Sequence, residues 1–172
     1  RVVIDPTRRH LDSRYSHLAI HPYPEALEAI ERLRDGSEVT IRPIRPEDAE
    51  METEFITELS DESRYLRFLS IVRHVTPEMI ARFTQIDYDR EMALIATRHE
   101  QGRESIIGVA RYVRDPNPVS AEFAIVIADR AQRKGLASKL MGRLMTNARF
   151  AGIERLRGLV LASNDSMLEL MD

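Results

Sequence analysis

The chain has 172 residues, 43% of them hydrophobic and 31% charged, a balance that suits a globular domain with a sizeable core. Its net charge of -3 at pH 7 lacks the positive footprint that nucleic acid or an anionic membrane selects, so any basic cluster needs a local reason. The absence of cysteine excludes disulfides and thiolate chemistry and leads us to expect a reducing cytoplasm, and no apolar run approaches the ~20 residues of a membrane span.

Residues 1–36 differ in character from the rest of the chain. "RVVID" reads as a short strand, "HLAIHPYP" as extended chain around two prolines, and "PEALEAIERLRDG" as a short amphipathic helix closed by Gly36. This stretch is expected to be the tail of a preceding region plus a linker, with the main domain over 37–172. His17 and His21 precede Pro22 in the extended part and the other histidines are scattered, so no metal site is expected.

From Glu38 the pattern tightens. "EVTIRPIR" alternates Val39, Ile41 and Ile44 with polar residues, and Pro43 suggests an edge strand or a bulge. Helical spacing follows at Ala49, Phe55, Ile56 and Leu59, with a second short helix near Tyr65 to Leu69. "TPEMIARFTQI" opens with Thr76 as cap and Pro77 in the first turn, both helix starts. "DYDRE" then reads as a turn that satisfies itself. "MALIAT", "SIIGVARYV" and "AEFAIVIA" are strands joined by short polar links, which predicts antiparallel hairpins. "LASKLMGRLMTNARFAG" carries Leu136, Leu140, Leu144 and Ala148 on one stripe and stops at Gly152. "LRGLVLA" predicts a last strand, and "NDSMLELMD" the start of a last helix.

The junction "ADRAQRKGLASK" joins a strand to a helix through a basic turn. The free N–H groups of the helix's first turn then face whatever lies beyond the strand, and an anion is the natural occupant. Gly135 and Ala137 allow close approach, while Arg133 and Lys134 supply charge or form a solvated charge run. Neither G-x-x-x-x-G-K-[ST] nor G-x-G-x-x-G is present.

Gln132, Gly135 and Ala137 fall on the positions of Gln/Arg-x-x-Gly-x-Gly/Ala. That pattern resembles the pyrophosphate-wrapping motif of the GCN5-related N-acetyltransferase (GNAT) family. "VTIRPIRPED", "SRYLRF", "QIDYDREMA", "IIGVARYVRDP" and "AEFAIVI" resemble, more narrowly, the GNAT domain of large bacterial protein lysine acetyltransferases. In those proteins it follows an NDP-forming acyl-CoA synthetase-like region ending in an ATP-grasp subdomain. "AIHPYPEALE" is similar to the tail of that upstream region.

The resemblance implies an α/β GNAT fold, a mixed and mostly antiparallel sheet flanked by helices, with the family's two final strands beyond Asp172. It implies acetyl-CoA as acyl donor and a protein lysine as acceptor, with acyl-CoA synthetases among the family's targets. Glu122 takes the place of the general base; an edge-exposed or ion-paired strand Glu is the bland alternative. Val126 and Ile127 would offer backbone groups to the pantetheine arm. Arg130, Gln132, Arg133, Lys134, Gly135, Leu136, Ala137 and Ser138 would surround the phosphates, and Asn164 would touch the cofactor or simply cap the last helix. "SRYLRF" lies where the family places its acceptor loop, although Tyr65 and Phe68 are expected to pack. Seven residues after Asn164, where many members carry an acidic Tyr, stands Met171, so no general acid is assigned. Two other functions fit the same resemblance: a coenzyme A-sensing module without turnover, and a small-molecule amine acetyltransferase.

Overall fold

A computed structural model describes residues 21–69, 74–100, 102–161, 164, 167, 168 and 170. The expected strand "RVVID", His17 and Met171 lie outside the described residues.

The elements run β1 (Ala29–Arg32), β2 (Glu38–Pro43), α1 (Ala49–Glu58), α2 (Asp61–Phe68), α3 (Pro77–Thr84), β3 (Glu91–Glu100), β4 (Arg103–Arg114), β5 (Ser120–Ile127), α4 (Leu136–Phe150) and β6 (Arg155–Arg157). The strands form one sheet in chain order, with each neighbouring pair antiparallel except β5 and β6, which are parallel. This is the mixed, mostly antiparallel sheet flanked by helices that the resemblance implies. Consecutive β4 side chains point to opposite faces. Arg111 reaches the Phe83 carbonyl of α3 at 3.2 Å, and the Tyr112 hydroxyl reaches Asn147 Oδ1 of α4 at 2.8 Å. The helices α1 to α3 therefore cover one face and α4 the other. The stripe Leu136, Leu140, Leu144 and Ala148 is fully buried against the second face.

One expected helix is a strand. Glu25–Leu27 form only a 3-10 turn, and Ala29–Arg32 pair with Ile41 to Glu38 of β2. Helix-like spacing is overridden by the open edge of β2, which offers backbone partners, and by Glu31, which meets Lys139 at 2.7 Å and Arg143 at 2.6 Å on α4. β2 is consequently an inner strand, not an edge. Pro43 is tolerated there because Ile44 N–H bonds the Ala93 carbonyl of β3, so the proline's missing N–H faces the other side, past the end of β1.

The motif "RPIRPED" closes the corner between β2 and α1. Arg42 Nη1 donates to Asp48 Oδ2 and Nη2 to Oδ1, both at 2.7 Å, and Asp48 Oδ2 also accepts from Arg45 N–H at 2.7 Å. Both charged residues are buried, at 7% and 3% exposure. "DYDRE" is the self-satisfying turn expected. Asp87 Oδ1 accepts from the N–H groups of Asp89, Arg90 and Glu91 at 3.0, 2.8 and 3.2 Å, and Tyr88, with φ 57°, bonds the Ile44 carbonyl at 2.7 Å. Asp87→Ala removes the acceptor for three backbone donors, and a loss of ~1–2 kcal/mol is expected in denaturant unfolding, with the Asn variant recovering part of it.

Candidate active site

The site begins where β5 and β6 part. Their pairing runs from Ser120↔Arg155 to Glu122↔Arg157 and ends there, although β5 continues to Ile127. The expected strand over 156–162 is thus only Arg155–Arg157. Just past that end the backbone passes close to Phe123: at Gly158 an added Cβ would lie 2.6 Å from the ring, so only glycine fits there. An open cleft of about 1610 Å³ occupies the gap, reaching from Arg111 and Glu122 to the first turn of α4.

Backbone polarity in the gap follows from the β4–β5 register. Ala128 N–H bonds the Ile107 carbonyl at 2.9 Å, so the Ile127 carbonyl in the same trans peptide points to the open edge. It receives Gln132 Nε2 at 3.3 Å. By alternation Ile125 also faces the gap, whereas Val126 turns its backbone groups to Val109 of β4. The expectation for Ile127 fits this edge. Val126, expected to offer its backbone to the cleft, instead turns it to β4, and Ile125 presents its backbone at the open edge.

The loop after β5 is held from two sides. Asp129 accepts from Ser60 N–H and Oγ at 3.0 and 2.9 Å and from Ser63 Oγ at 2.7 Å, which anchors the start of α2 beside it. Arg133 and Gly135 have φ of 61° and 82°, left-handed conformations that bend the chain so the N–H groups of Leu136, Ala137 and Ser138 open α4 toward the cleft. Gln132, Arg133, Gly135, Leu136, Ala137 and Ser138 all line it. Arg130 and Lys134 do not line it; they pair with Glu58 at 2.8 Å and Asp35 at 3.0 Å. These two charges, expected at the phosphates or as a solvated run, are engaged here in ion pairs that brace the loop.

At the other end, Glu122 shares a face with Ala124 and Val126, on the side covered by α1 to α3. It is exposed at the cleft wall and has no ion pair within 4 Å among the described residues. Arg67 and Arg111 stand on the same wall. Arg111 sits 4.9 Å over the Phe83 ring and 3.7 Å from Glu91, and Arg67 sits 4.9 Å over Phe68. Desolvation pushes Arg67 down to about 10, with the Arg111 charge adding to the drop and Glu52 and Glu122 opposing it. The sequence assigns no role to these arginines, since nothing in their spacing separates a cleft arginine from a surface one. Phe68 packs on Phe83, centroids 6.1 Å apart, but Tyr65 is 46% exposed, contrary to the packing expected of it.

Glu52 on α1 lies behind these arginines, 3% exposed, with an Oε2 that has no hydrogen-bond partner among the described residues. Burial pushes its carboxyl up to about 7 against the pull of Arg111 and Arg67. A carboxyl raised in the folded state binds more protons there than when unfolded, so its contribution to stability falls as pH rises from about 4.5 through about 7. Glu52→Gln should flatten that fall. We expect the variant to match wild type at pH 4 and to exceed it at pH 8 by ~1–3 kcal/mol, read from urea unfolding at both pH values.

Asn164 lines the far part of the cleft, and its Oδ1 accepts from Met167 N–H at 3.2 Å. That bond is of the capping kind, and it leaves the side chain on the cleft lining. Among the described residues no three side chains gather as metal ligands.

Residues 38–172 match the family described as Acetyltransferase (GNAT) domain. The chain belongs to the GNAT acetyltransferases. An acetyltransferase of Pseudomonas aeruginosa is 37% identical over 141 residues, 82% of this chain and 76% of its own length. The acetyltransferase Pat of Mycolicibacterium smegmatis is 33% identical over 142 residues, and the match spans 82% of this chain but 42% of Pat. Among solved structures, the GNAT domain of S. lividans PAT superposes with a TM-score of 0.79 at 32% identity, covering 87% of this chain and 88% of that one. GNAT domains use acetyl-CoA as acyl donor. The cleft of this one combines an open strand edge, a left-handed turn onto a helix start and a wide mouth.

Proposed function

We propose that this GNAT domain acetylates lysine side chains of proteins, with Glu122 as general base. The observation that carries the reading is the presence in one cleft of an exposed Glu122, without an ion pair among the described residues, and, beyond the open edge of β5, the first turn of α4. The protein acceptor is supported by the likeness to Pat and to the GNAT domain of PAT. An acyl-CoA synthetase lysine is the acceptor class that the sequence resemblance adds.

Bound acetyl-CoA supplies a thioester that a neutral amine can attack directly, with the thiolate as leaving group. A lysine ammonium with pKa ~10.4 must first lose its proton, at ~4–5 kcal/mol near neutrality. Glu122, placed on the cleft wall, takes that proton directly or through one water. The N–H and C=O groups of Ile125 and Ile127 hold the donor's amide arm as an added strand would, and the N–H groups of Leu136, Ala137 and Ser138 bind its diphosphate. Gln132 ties this loop to Ile127 and Ser63, with both contacts at 3.3 Å. Cytoplasmic residence agrees with such a role and with the lack of cysteine.

The test is transfer of labelled acetyl from acetyl-CoA to protein. Labelled lysines, found by mass spectrometry after incubation with a cell lysate, are the expected result. Binding of acetyl-CoA without transfer to any protein or small amine would instead make the domain a coenzyme A-sensing module, and transfer to small amines alone would remove the protein acceptor.

A further inference from the structure

The cations around the α4 loop fall into two groups. Arg130, Lys134, Lys139 and Arg143 each have a carboxylate: Glu58, Asp35 and, for the last two, Glu31. Arg133 and Arg34 have none among the described residues, and both line the cleft, while Arg130 and Lys134 do not. Around this loop, among the described residues, the cations away from the cleft are neutralised and the two that line it are not.

Arg34 is the unexpected member. It stands in the turn between β1 and β2, ahead of residue 38 where the family match begins. Its N–H donates to the Lys134 carbonyl at 3.1 Å. Its Nε, Cγ and Cδ lie 3.2, 3.3 and 3.5 Å from the point a Cβ on Gly135 would occupy, so the side chain crosses the loop at its glycine. Gly135 thus meets two demands, a φ of 82° and room for this arginine. Three tethers fix the turn: the backbone bond to Lys134, the Asp35–Lys134 pair, and Glu31 on Lys139 and Arg143. Asp35 stays ionised because Ser37 hydroxyl and N–H bonds, then Lys134, hold its carboxyl well below the usual range.

A guanidinium held across a phosphate-binding turn without a carboxylate of its own is matched by a phosphate, whose oxygens fit its planar fork. We propose that Arg34 is a ligand for a phosphate of the acyl donor, acting with Arg133 and the first turn of α4. The strand pair β1–β2, which begins before the matched family domain, would then complete the donor site. This rests on the acetyl-CoA reading above. Coenzyme A offers that chemistry twice, in its diphosphate and its 3′-phosphate.

The test is calorimetric titration of the 172-residue chain with coenzyme A and with 3′-dephospho-coenzyme A. Arg34→Ala is expected to weaken coenzyme A binding about tenfold, Arg34→Lys to recover only part, and Arg149→Ala, a charge control at the far end of α4, to change nothing. If the Arg34→Ala loss persists with the dephospho form, the diphosphate is the partner; if it vanishes, the 3′-phosphate is. Both outcomes support the role. Affinity within twofold of wild type in Arg34→Ala overturns it and leaves the acetyltransferase reading standing, as does an equal loss in Arg149→Ala. No coenzyme A binding by wild type overturns both.

Discussion

Glu122→Gln is expected to slow acetyl transfer to protein lysine by roughly 10²–10⁴-fold at neutral pH while leaving acetyl-CoA affinity within about twofold. Gln keeps the size of the side chain and removes its capacity to take a proton. Glu122 is exposed and has no ion pair within 4 Å among the described residues, so the substitution removes only its longer-range pull on Arg67 and the rate change reports chemistry. The pH profile is the sharper readout. Without a base the reaction depends on the small fraction of amine already neutral, so the variant's rate should rise about tenfold per pH unit toward the lysine pKa. A variant that transfers at the wild-type rate would show that Glu122 is not the base. A variant that binds acetyl-CoA much more weakly would assign it to donor binding instead.

Asp48→Ala is expected to cost ~3–5 kcal/mol in denaturant unfolding, a large share of the ~5–15 kcal/mol that holds a domain. The variant leaves the Arg42 guanidinium, on a residue only 7% exposed, without the two 2.7 Å bonds that satisfy it, and leaves Arg45 N–H without its acceptor. Burial alone lowers the Arg42 pKa, and the bonds and charge of Asp48, with Glu104, more than reverse this. Glu104, 3.8 Å away, can relieve part of the loss. The double replacement Arg42→Met with Asp48→Leu should recover most of it, because apolar side chains of similar size avoid an unpaired buried charge. A loss below about 1 kcal/mol in Asp48→Ala would mean that water reaches the corner.

These two carboxylates are not equally legible. Glu122 stands out as a charge inside the apolar run "AEFAIVI", and strand alternation already puts it with Ala124 and Val126. Asp48 sits in "RPED", which looks like any helix start, and only folding shows that it serves Arg42 across the corner. Glu52 and Arg67 look like ordinary helical surface for the same reason. Their environment is made by α3 and β4, which are distant in sequence, and desolvation leaves no local mark.

Local order also failed where an edge decided the outcome. Residues 29–32 have helical spacing, yet a free strand edge on β2 and two cations on α4 made them β1. That step brought Arg34 over Gly135.

By itself the sequence determined the elements with strong periodicity, the glycine turn opening α4, and the family through the order of elements around Gln132, Gly135 and Ala137 and longer stretches such as "QIDYDREMA", because spacing and backbone need are written within a few consecutive residues. The tertiary structure alone decided which cations face the cleft, that Ile125 in place of Val126 offers its backbone there, and how far β6 runs beside β5. Those depend on pairing register and on carboxylates brought from α1 and the β1–β2 turn, all of them contacts between residues that chain order keeps apart.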